Sequence, residues 1–239
     1  SVQLPYLGIA AGLFLLAVLV VLFRLPALTE ATERSDHQRH TFAEVLRHRH
    51  LRFGVMGIFV YVGAEVAIGS FLINYISDPR IGALDAATAT RYVAWYWGLA
   101  MAGRFLGSFL LRRIEPRVLL GFFAIGAMAL LATTILTEGR VAVWSVVAIG
   151  LFNSIMFPTI FTLGIDGLGP MTSKASSLLV MAIVGGAVVP LLQGFLADRI
   201  GVQLAFVLPL ACYAFVAWYG FSGARRVHAA VDAVPVTQA

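Results

Sequence analysis

The sequence is poor in charged residues and almost without cysteine. Only 12% of its 239 residues are charged, against about 25% in an average soluble domain. Cys212 is the single cysteine, which excludes an internal disulfide framework. Because 60% of the residues are hydrophobic, the composition is that of a membrane protein.

Uncharged runs long enough to cross a bilayer occur repeatedly along the chain. A hydrocarbon core of about 30 Å needs roughly 20 apolar residues in a helix, and seven runs of about this length are present. They are residues 4–23, 53–76, 92–111, 118–136, 141–163, 176–196 and 204–221. Their only internal charges are Glu65 and Arg104. Since nothing alternates like a barrel strand, we predict an all-α membrane protein with seven transmembrane helices.

The basic residues are distributed unevenly between alternate loops. Twelve Lys and Arg residues fall on one side and four on the other, with Arg104 inside a span. The richer side contains Arg24, Arg34, Arg39, Arg47, Arg49, Arg52, Arg112, Arg113, Arg117, Lys174, Arg225 and Arg226. The positive-inside rule places these loops in the cytoplasm, together with the C-terminus. The net charge of +5 therefore indicates orientation in a membrane, and we do not expect a nucleic-acid partner.

The predicted organisation has four parts. Seven spans that end in the cytoplasm must begin outside, so residues 1–24 are interpreted as the last helix of an absent N-terminal half. Residues 25–52 are predicted to be a central cytoplasmic loop with a short amphipathic helix, which starts at the capping-box pattern of Thr41 and Glu44. Residues 53–222 form a six-helix bundle and residues 223–239 a cytoplasmic tail. The loop histidines His37, His40, His48 and His50 have no accompanying cysteines or paired acids, so no metal site is predicted.

The six bundle helices divide into two triplets, as in transporters built from three-helix repeats. The first helix of each triplet carries residues that interrupt helices: Gly63 and Gly69 in one, Gly150 and Pro158 in the other. Both first helices are therefore expected to be interrupted, although glycine and proline are also common in ordinary membrane helices.

Glu65 is the single acid within a span. Ionised at the bilayer centre it would cost roughly 2.5 to 3.5 kcal/mol on insertion scales, so exposure to lipid is not expected. Three environments remain open: an ion pair with Arg104, a protonated form hydrogen-bonded to a neighbouring helix, or a polar cavity. Tyr61, Glu65, Gly69 and Leu72 share one helical face and would line such a cavity.

Further polar and aromatic side chains suit a sugar. Asn153 and Phe157 are four residues apart beside Pro158, and Gln193 lies in the sixth span. Amides and carboxylates satisfy sugar hydroxyl groups, and aromatic rings cover the C–H faces of a pyranose. Each of these residues also has an ordinary packing interpretation. Arg104 lies about two turns from the cytoplasmic end of its span, where it favours a structural role.

Several runs resemble one transporter family. They are the run from Tyr61 to Tyr75, Gly103-Arg104-Phe105 with Arg112 and Arg113, the run from Phe157 to Ile165, and Gly194-Phe-Leu-Ala-Asp198. Together they resemble the C-terminal half of sugar:proton symporters in the fucose permease and glucose/galactose transporter branch of the major facilitator superfamily. The resemblance implies a C-terminal bundle of 3+3 inverted repeats, hexose bound between two halves, and alternating access.

The resemblance also implies residue roles. Tyr61, Glu65, Gly69, Asn153, Phe157 and Gln193 are expected to bind substrate, and Arg104, Arg112, Arg113, Pro158 and Asp198 to have structural or gating roles. Glu65, Gly69 and Phe157 differ from the fucose permease pattern, which favours glucose or galactose over fucose. The family's proton-coupling carboxylates lie in the other half.

The resulting hypothesis is the C-terminal half of a proton-coupled hexose importer in the bacterial inner membrane. Its expected partners are a sugar, the lipid bilayer and the absent N-terminal half, and no cofactor is expected besides the coupling proton. A regulatory or structural half-transporter is the alternative. A retinal protein needs a lysine deep in its last helix, whereas the only lysine is Lys174. An intramembrane enzyme needs paired acids, a Ser/His pair or metal ligands, which the spans lack.

Overall fold

The computed structural model describes residues 3–22 and 41–224 of the chain. Contacts within the chain divide it into two units, Ser1–Arg39 and His40–Ala239. In the first unit the described element is α1 (Gln3–Leu22), which has no charged residue. The expected loop between residues 25 and 40, including His37 and His40, and the part of the expected tail with Arg225 and Arg226 lie outside the described residues.

The second unit is built of helices. They are α2 (Phe42–Val45), α3 (Arg49–Ser77), α4 (Ala86–Leu110), α5 (Pro116–Leu136), α6 (Gly139–Asn153), α7 (Met156–Ile165), α8 (Thr172–Met181), α9 (Gly185–Ile200), α10 (Val202–Ala205) and α11 (Val207–Trp218). Short 3-10 turns precede and follow α8, at Gly169–Met171 and Ala182–Val184. A π-helical turn, Tyr219–Gly223, follows α11.

Within the described residues, five helical segments are long and apolar enough to cross a membrane. They are Arg49–Ser77, Pro116–Leu136, Gly139–Ile165, Gly169–Ile200 and Val202–Gly223. Helix α4 has 25 residues, but Arg104 and several Trp and Tyr residues make it less apolar. The predicted all-helical membrane fold is therefore confirmed, whereas seven spans and a 3+3 repeat stay predictions.

Helix α3 begins earlier than the sequence predicted. Thr41 caps α2 by accepting a hydrogen bond from the Glu44 backbone N–H, at 3.3 Å from N to Oγ1. The chain then re-enters a helix at Arg49, so that residues 49–52, predicted to belong to the loop, form the first turn of α3. The capping pattern predicted the start of the short helix, and nothing in it specified where that helix ends.

Helix α3 is the centre of the second unit. It packs against α7, α9 and α11, while α5 and α4 pack against α6. Lipid tails are as apolar as these side chains, so the hydrophobic effect does not drive helices together in a bilayer. Close packing stabilises such contacts instead. At the crossing of α3 and α9, a Cβ on Gly185 would overlap the carbonyl of Phe59. The small residue thus lets two backbones come into contact.

Only one of the two helices expected to be interrupted is broken. Helix α3 is continuous, and a Cβ on its Gly63 would overlap the side chain of Val189. The prediction of a break in α3 is therefore wrong, because Gly63 serves helix packing. The other expected break is present, between α6 and α7. A second interruption, the 3-10 turn Ala182–Val184, was not predicted.

Asp85 caps the N-terminus of α4. Its carboxylate accepts a hydrogen bond from the Thr88 backbone N–H, at 3.0 Å from N to Oδ1. Hydrogen bonds from Thr88, through its hydroxyl and its backbone, lower the pKa of Asp85. A lowered pKa means that the ionised carboxylate stabilises the folded state above the ordinary aspartate range and loses this effect as the pH falls through the lowered pKa.

We therefore expect Asp85→Ala to lower the thermal midpoint at pH 7, and the deficit to shrink as the protein is acidified through the lowered pKa. Asp85→Asn is the matched control, because an amide oxygen also caps a helix without a charge. The measurement is a thermal midpoint series against pH for the three proteins. A deficit for Asp85→Ala that does not change with pH would show that the charge contributes nothing.

Candidate functional site

The break between α6 and α7 shapes the site. Helix α6 ends at Asn153, and Ser154 and Ile155 form a turn before α7 begins at Met156. Pro158 explains the position of the turn, because proline has no N–H for the carbonyl four residues earlier, that of Ser154, and its ring clashes with that carbonyl. Pro158 therefore leaves the Ser154 carbonyl without its usual helical N–H donor.

Tyr61 bonds to the backbone at the end of α6. Its hydroxyl donates to the backbone carbonyl of Asn153, at 2.8 Å. Helix α4 approaches the same turn, where a Cβ on Gly103 would overlap the carbonyl of Leu151 and lie 2.7 Å from the Ser154 hydroxyl oxygen. The turn therefore lies between α3, whose Tyr61 donates a hydrogen bond beside it, and α4, whose Gly103 permits close approach.

A cavity of about 530 Å³ opens beside the turn. Its walls come from α3, from α4 with the residue that follows it, and from the broken helix. The lining residues are Tyr61, Glu65, Arg104, Ser108, Leu111, Ser154, Ile155, Phe157 and Pro158. Its volume lies within the usual range of small-ligand sites, about 300 to 1,000 Å³.

Glu65 and Arg104 bring opposite charges to this cavity. Glu65 is partly exposed and Arg104 is exposed. Both side chains are described, and no ion pair within 4.0 Å joins them, whereas such pairs form between Arg80 and Asp78 and between Arg117 and Glu115. Of the three environments considered for Glu65, the structure contains the polar cavity, in which the Glu65 carboxyl group also interacts with the Tyr61 hydroxyl group and with the charge of Arg104.

Two further features of the cavity suit a hydroxylated ligand. The Ser154 hydroxyl is buried and has no hydrogen-bond partner among the described residues. Phe157 is half-buried, and its ring lies 6.1 Å from the ring of Phe161. The cavity therefore combines a carboxylate, a guanidinium, hydroxyl groups and an aromatic surface. The sequence reasoning missed Ser108 and Ser154, although Ser108 is four residues from Arg104 and so shares its helical face.

Two predicted ligands do not line the cavity. Asn153 is 1% exposed, and its side chain is bonded to Tyr96 and Tyr213, at 2.7 Å and 2.6 Å. Gln193 is fully buried in α9, and neither atom of its amide has a hydrogen-bond partner among the described residues. Phe157 lies on the cavity wall and Asn153 does not, although the two residues are four positions apart.

The remaining predicted residues lie around the cavity or away from it. Gly69 is two turns from Tyr61, and nothing lies within 4 Å of a Cβ placed there. Leu72 is fully buried and is not part of the wall, against the expectation for its helical face. Arg112, Arg113 and Asp198 lie outside the cavity wall, and the Arg113 guanidinium lies 5.5 Å from the centre of the Phe109 ring. Their gating role stays a prediction.

Metal chemistry has no support in this part of the chain. Among the described residues, no three His, Cys, Asp or Glu side chains form a group that could hold a metal ion. The functional groups on the cavity wall are a carboxylate, a guanidinium, hydroxyl groups and an aromatic ring.

Known transporters resemble this chain along almost all of its length. The glucose/galactose transporter of Brucella abortus is 48% identical over 225 residues, which are 94% of this chain and 54% of that protein. A putative glucose/galactose transporter of Helicobacter pylori is 42% identical, and the L-fucose-proton symporter of Escherichia coli is 37% identical. The chain spans about half the length of these curated relatives. No family model matches the sequence.

A solved structure agrees with the sequence comparison. FucP, a major facilitator superfamily transporter in the outward conformation, matches with a TM-score of 0.78 and 34% identity. The match covers 92% of this chain and 54% of that one. A peptide transporter at 18% identity and a TM-score of 0.66 shares the fold alone. The predicted resemblance to this branch of sugar transporters is confirmed.

Proposed function

This chain belongs to the major facilitator superfamily, and we propose that it forms the C-terminal half of a transporter that imports a hexose, glucose or galactose, together with protons. The cavity beside the broken helix would then be this half's contribution to a central sugar site, with the N-terminal half supplying the opposite wall. The proposed setting is a bacterial inner membrane, with the C-terminus in the cytoplasm.

The observation that carries the proposal is Glu65, which forms no ion pair with Arg104, in a cavity that also contains Phe157. Placing an ionisable group inside a membrane protein is unfavourable, so a cavity that retains one near mid-membrane indicates a functional site. A carboxylate accepts hydrogen bonds from sugar hydroxyl groups, and the ring of Phe157 offers a surface for the C–H face of a pyranose. Arg104, Ser108 and Ser154 supply donors around the same space.

Broken helices give a physical basis for transport. In secondary transporters, binding sites lie where interrupted helices meet near the membrane midplane. The turn at Ser154 and Ile155 interrupts one of the helices that line the cavity, and this supports a binding site there. Rocking of one half against the other would expose this wall alternately to the two sides of the membrane.

The proposal is tested by uptake of labelled glucose and galactose into proteoliposomes that contain the full-length transporter. We expect the sugar to accumulate against its own concentration gradient when a proton gradient is imposed. Accumulation should be lost when a protonophore is added. Equal accumulation with the protonophore would contradict proton coupling. Proteoliposomes containing only residues 1–239 should show no uptake, because half of the pore wall is absent, and uptake by this chain alone would contradict the half-transporter assignment.

Gly69 offers a test of where the sugar lies. Gly54, Gly57 and Gly63 in α3 have a neighbour within 3.2 Å of the position that a Cβ would take, whereas Gly69 has none within 4 Å. We expect Gly69→Leu to fold normally and to weaken hexose transport about tenfold, because the new side chain would occupy space one turn from Glu65. Substrate affinity and the yield of folded transporter are the measurements.

Gly98 in α4 provides the matched control, since its Cβ would also meet nothing within 4 Å. Gly98→Leu should leave the affinity unchanged. If Gly69→Leu loses folded protein and Gly98→Leu does not, Gly69 packs against another element and has no place in the sugar site.

A further inference from the structure

Three buried tyrosines converge on the last residue of α6. The Tyr61 hydroxyl of α3 donates to the Asn153 backbone carbonyl at 2.8 Å. The Asn153 side-chain Nδ2 donates to the Tyr96 hydroxyl of α4 at 2.7 Å, and the Tyr213 hydroxyl of α11 donates to Oδ1 at 2.6 Å. We call Asn153 with Tyr61, Tyr96 and Tyr213 the tyrosine cluster. It ties the end of one helix to three others.

Substrate contact does not explain this cluster. All four residues are at most 1% exposed, and only Tyr61 reaches the cavity wall. The Asn153 amide is buried, and each of its ends already bonds to a tyrosine hydroxyl group. The cluster lies instead on the residue directly before the turn that separates α6 from α7.

The neighbouring residues show what this position controls. Ser154 and Phe157, one and four residues after Asn153, both line the cavity. Pro158 prevents a regular helix from continuing through the turn, but it does not by itself select one direction for α7. Packing of α7 against α3 contributes to its direction. The hydrogen bonds to Asn153 add directional contacts at the turn itself, in a buried region of low dielectric.

We propose that Asn153 is a positioning residue, which fixes the angle between α6 and α7 through Tyr96 and Tyr213 and so holds Ser154 and Phe157 on the cavity wall. The consequence for sugar affinity rests on the proposed function, whereas the consequence for helix geometry does not. The sequence prediction that Asn153 itself binds sugar is replaced by this indirect role.

The test uses single hydroxyl deletions in the full-length transporter. Tyr96→Phe and Tyr213→Phe each remove one hydrogen bond to Asn153 and keep the ring. Tyr75→Phe is the matched control, because Tyr75 is equally buried in α3 and its hydroxyl donates to the Thr134 carbonyl at 2.5 Å, away from the turn. All three variants should lose a similar amount of thermal stability, since each loses one buried hydrogen bond.

The first readout is the helix angle. Spin labels on Arg140→Cys in α6 and Thr162→Cys in α7, with Cys212→Ala, would lie about 33 Å apart along a straight helix, within the range of pulsed electron paramagnetic resonance. We expect the distance distribution to shift or broaden in Tyr96→Phe and Tyr213→Phe and to match the parent in Tyr75→Phe. Distributions that are identical in all three variants would overturn the proposal.

The second readout is binding of glucose and galactose by the purified transporter. Tyr96→Phe and Tyr213→Phe are expected to weaken binding about three- to tenfold, and Tyr75→Phe to leave it unchanged. An equal loss in the control would overturn the positioning role. A changed label distance in a transporter that binds neither sugar would contradict the proposed substrate and still support the role of Asn153 in helix geometry.

Discussion

Glu65→Gln in the full-length transporter is expected to weaken hexose binding about ten- to a hundredfold. The substitution keeps the shape of the side chain and removes its charge, and hydrogen bonds to charged groups contribute about 1.5 to 3 kcal/mol. Glu65 lines the cavity and no other carboxylate of the described residues lies on its wall, so none would compensate for the lost charge. The measurements are sugar affinity and the dependence of uptake on pH.

The same variant separates the roles left open by the sequence. If Glu65 senses the coupling proton, the pH dependence of uptake should flatten in Glu65→Gln. Glu138→Gln is the matched control, because Glu138 is exposed before α6 and its side chain makes no capping hydrogen bond. Affinity and pH dependence that both remain unchanged in Glu65→Gln would leave Glu65 with a packing role only.

Gly103→Ala is expected to destabilise the folded protein strongly. The added Cβ would overlap the carbonyl of Leu151 and crowd Ser154 at the turn, where the backbone cannot move away without breaking the contact between α4 and α6. Overpacking of this kind costs typically about 1 to 3 kcal/mol. We expect a lower thermal midpoint and a lower yield of folded transporter, together with reduced uptake per folded molecule.

Gly98→Ala, five residues earlier in the same helix, is the matched control for Gly103→Ala. Nothing lies within 4 Å of a Cβ on Gly98, and alanine is favoured over glycine in a helix by about 1 kcal/mol. This variant should be as stable as the parent or slightly more stable. Equal stability of the two alanine variants would show that α4 does not approach the turn closely.

The helical membrane fold could be predicted because the physical constraint on it is strong. Every backbone polar group in a bilayer core must be paired, so an uncharged run of about 20 residues has one stable conformation. Pro158 likewise predicted the break between α6 and α7, since its effect on a helix is local. The break predicted in α3 at Gly63 is absent. A sequence alone does not distinguish a glycine that permits close helix packing from one that weakens a helix.

The cavity could be predicted only in part. Glu65 and Tyr61 share a face of an unbroken helix, so the helical period placed both correctly. Asn153 and Phe157 lie on opposite sides of a turn, and the period no longer applies across it. The burial of Gln193 depends on how α9 packs against its neighbours, and no pattern within α9 specifies that. The Tyr96 and Tyr213 contacts join residues 57 and 60 positions from Asn153, which no local pattern reports.

The most direct test of the account is protection of the cavity by sugar. Ser108→Cys in the full-length transporter, with Cys212→Ala, places a thiol on the cavity wall that α4 supplies. We predict that a hydrophilic thiol reagent labels this position readily and that galactose or glucose slows the labelling at concentrations that saturate uptake. Labelling at the same rate with and without a transported sugar would contradict the assignment of this cavity as the sugar site.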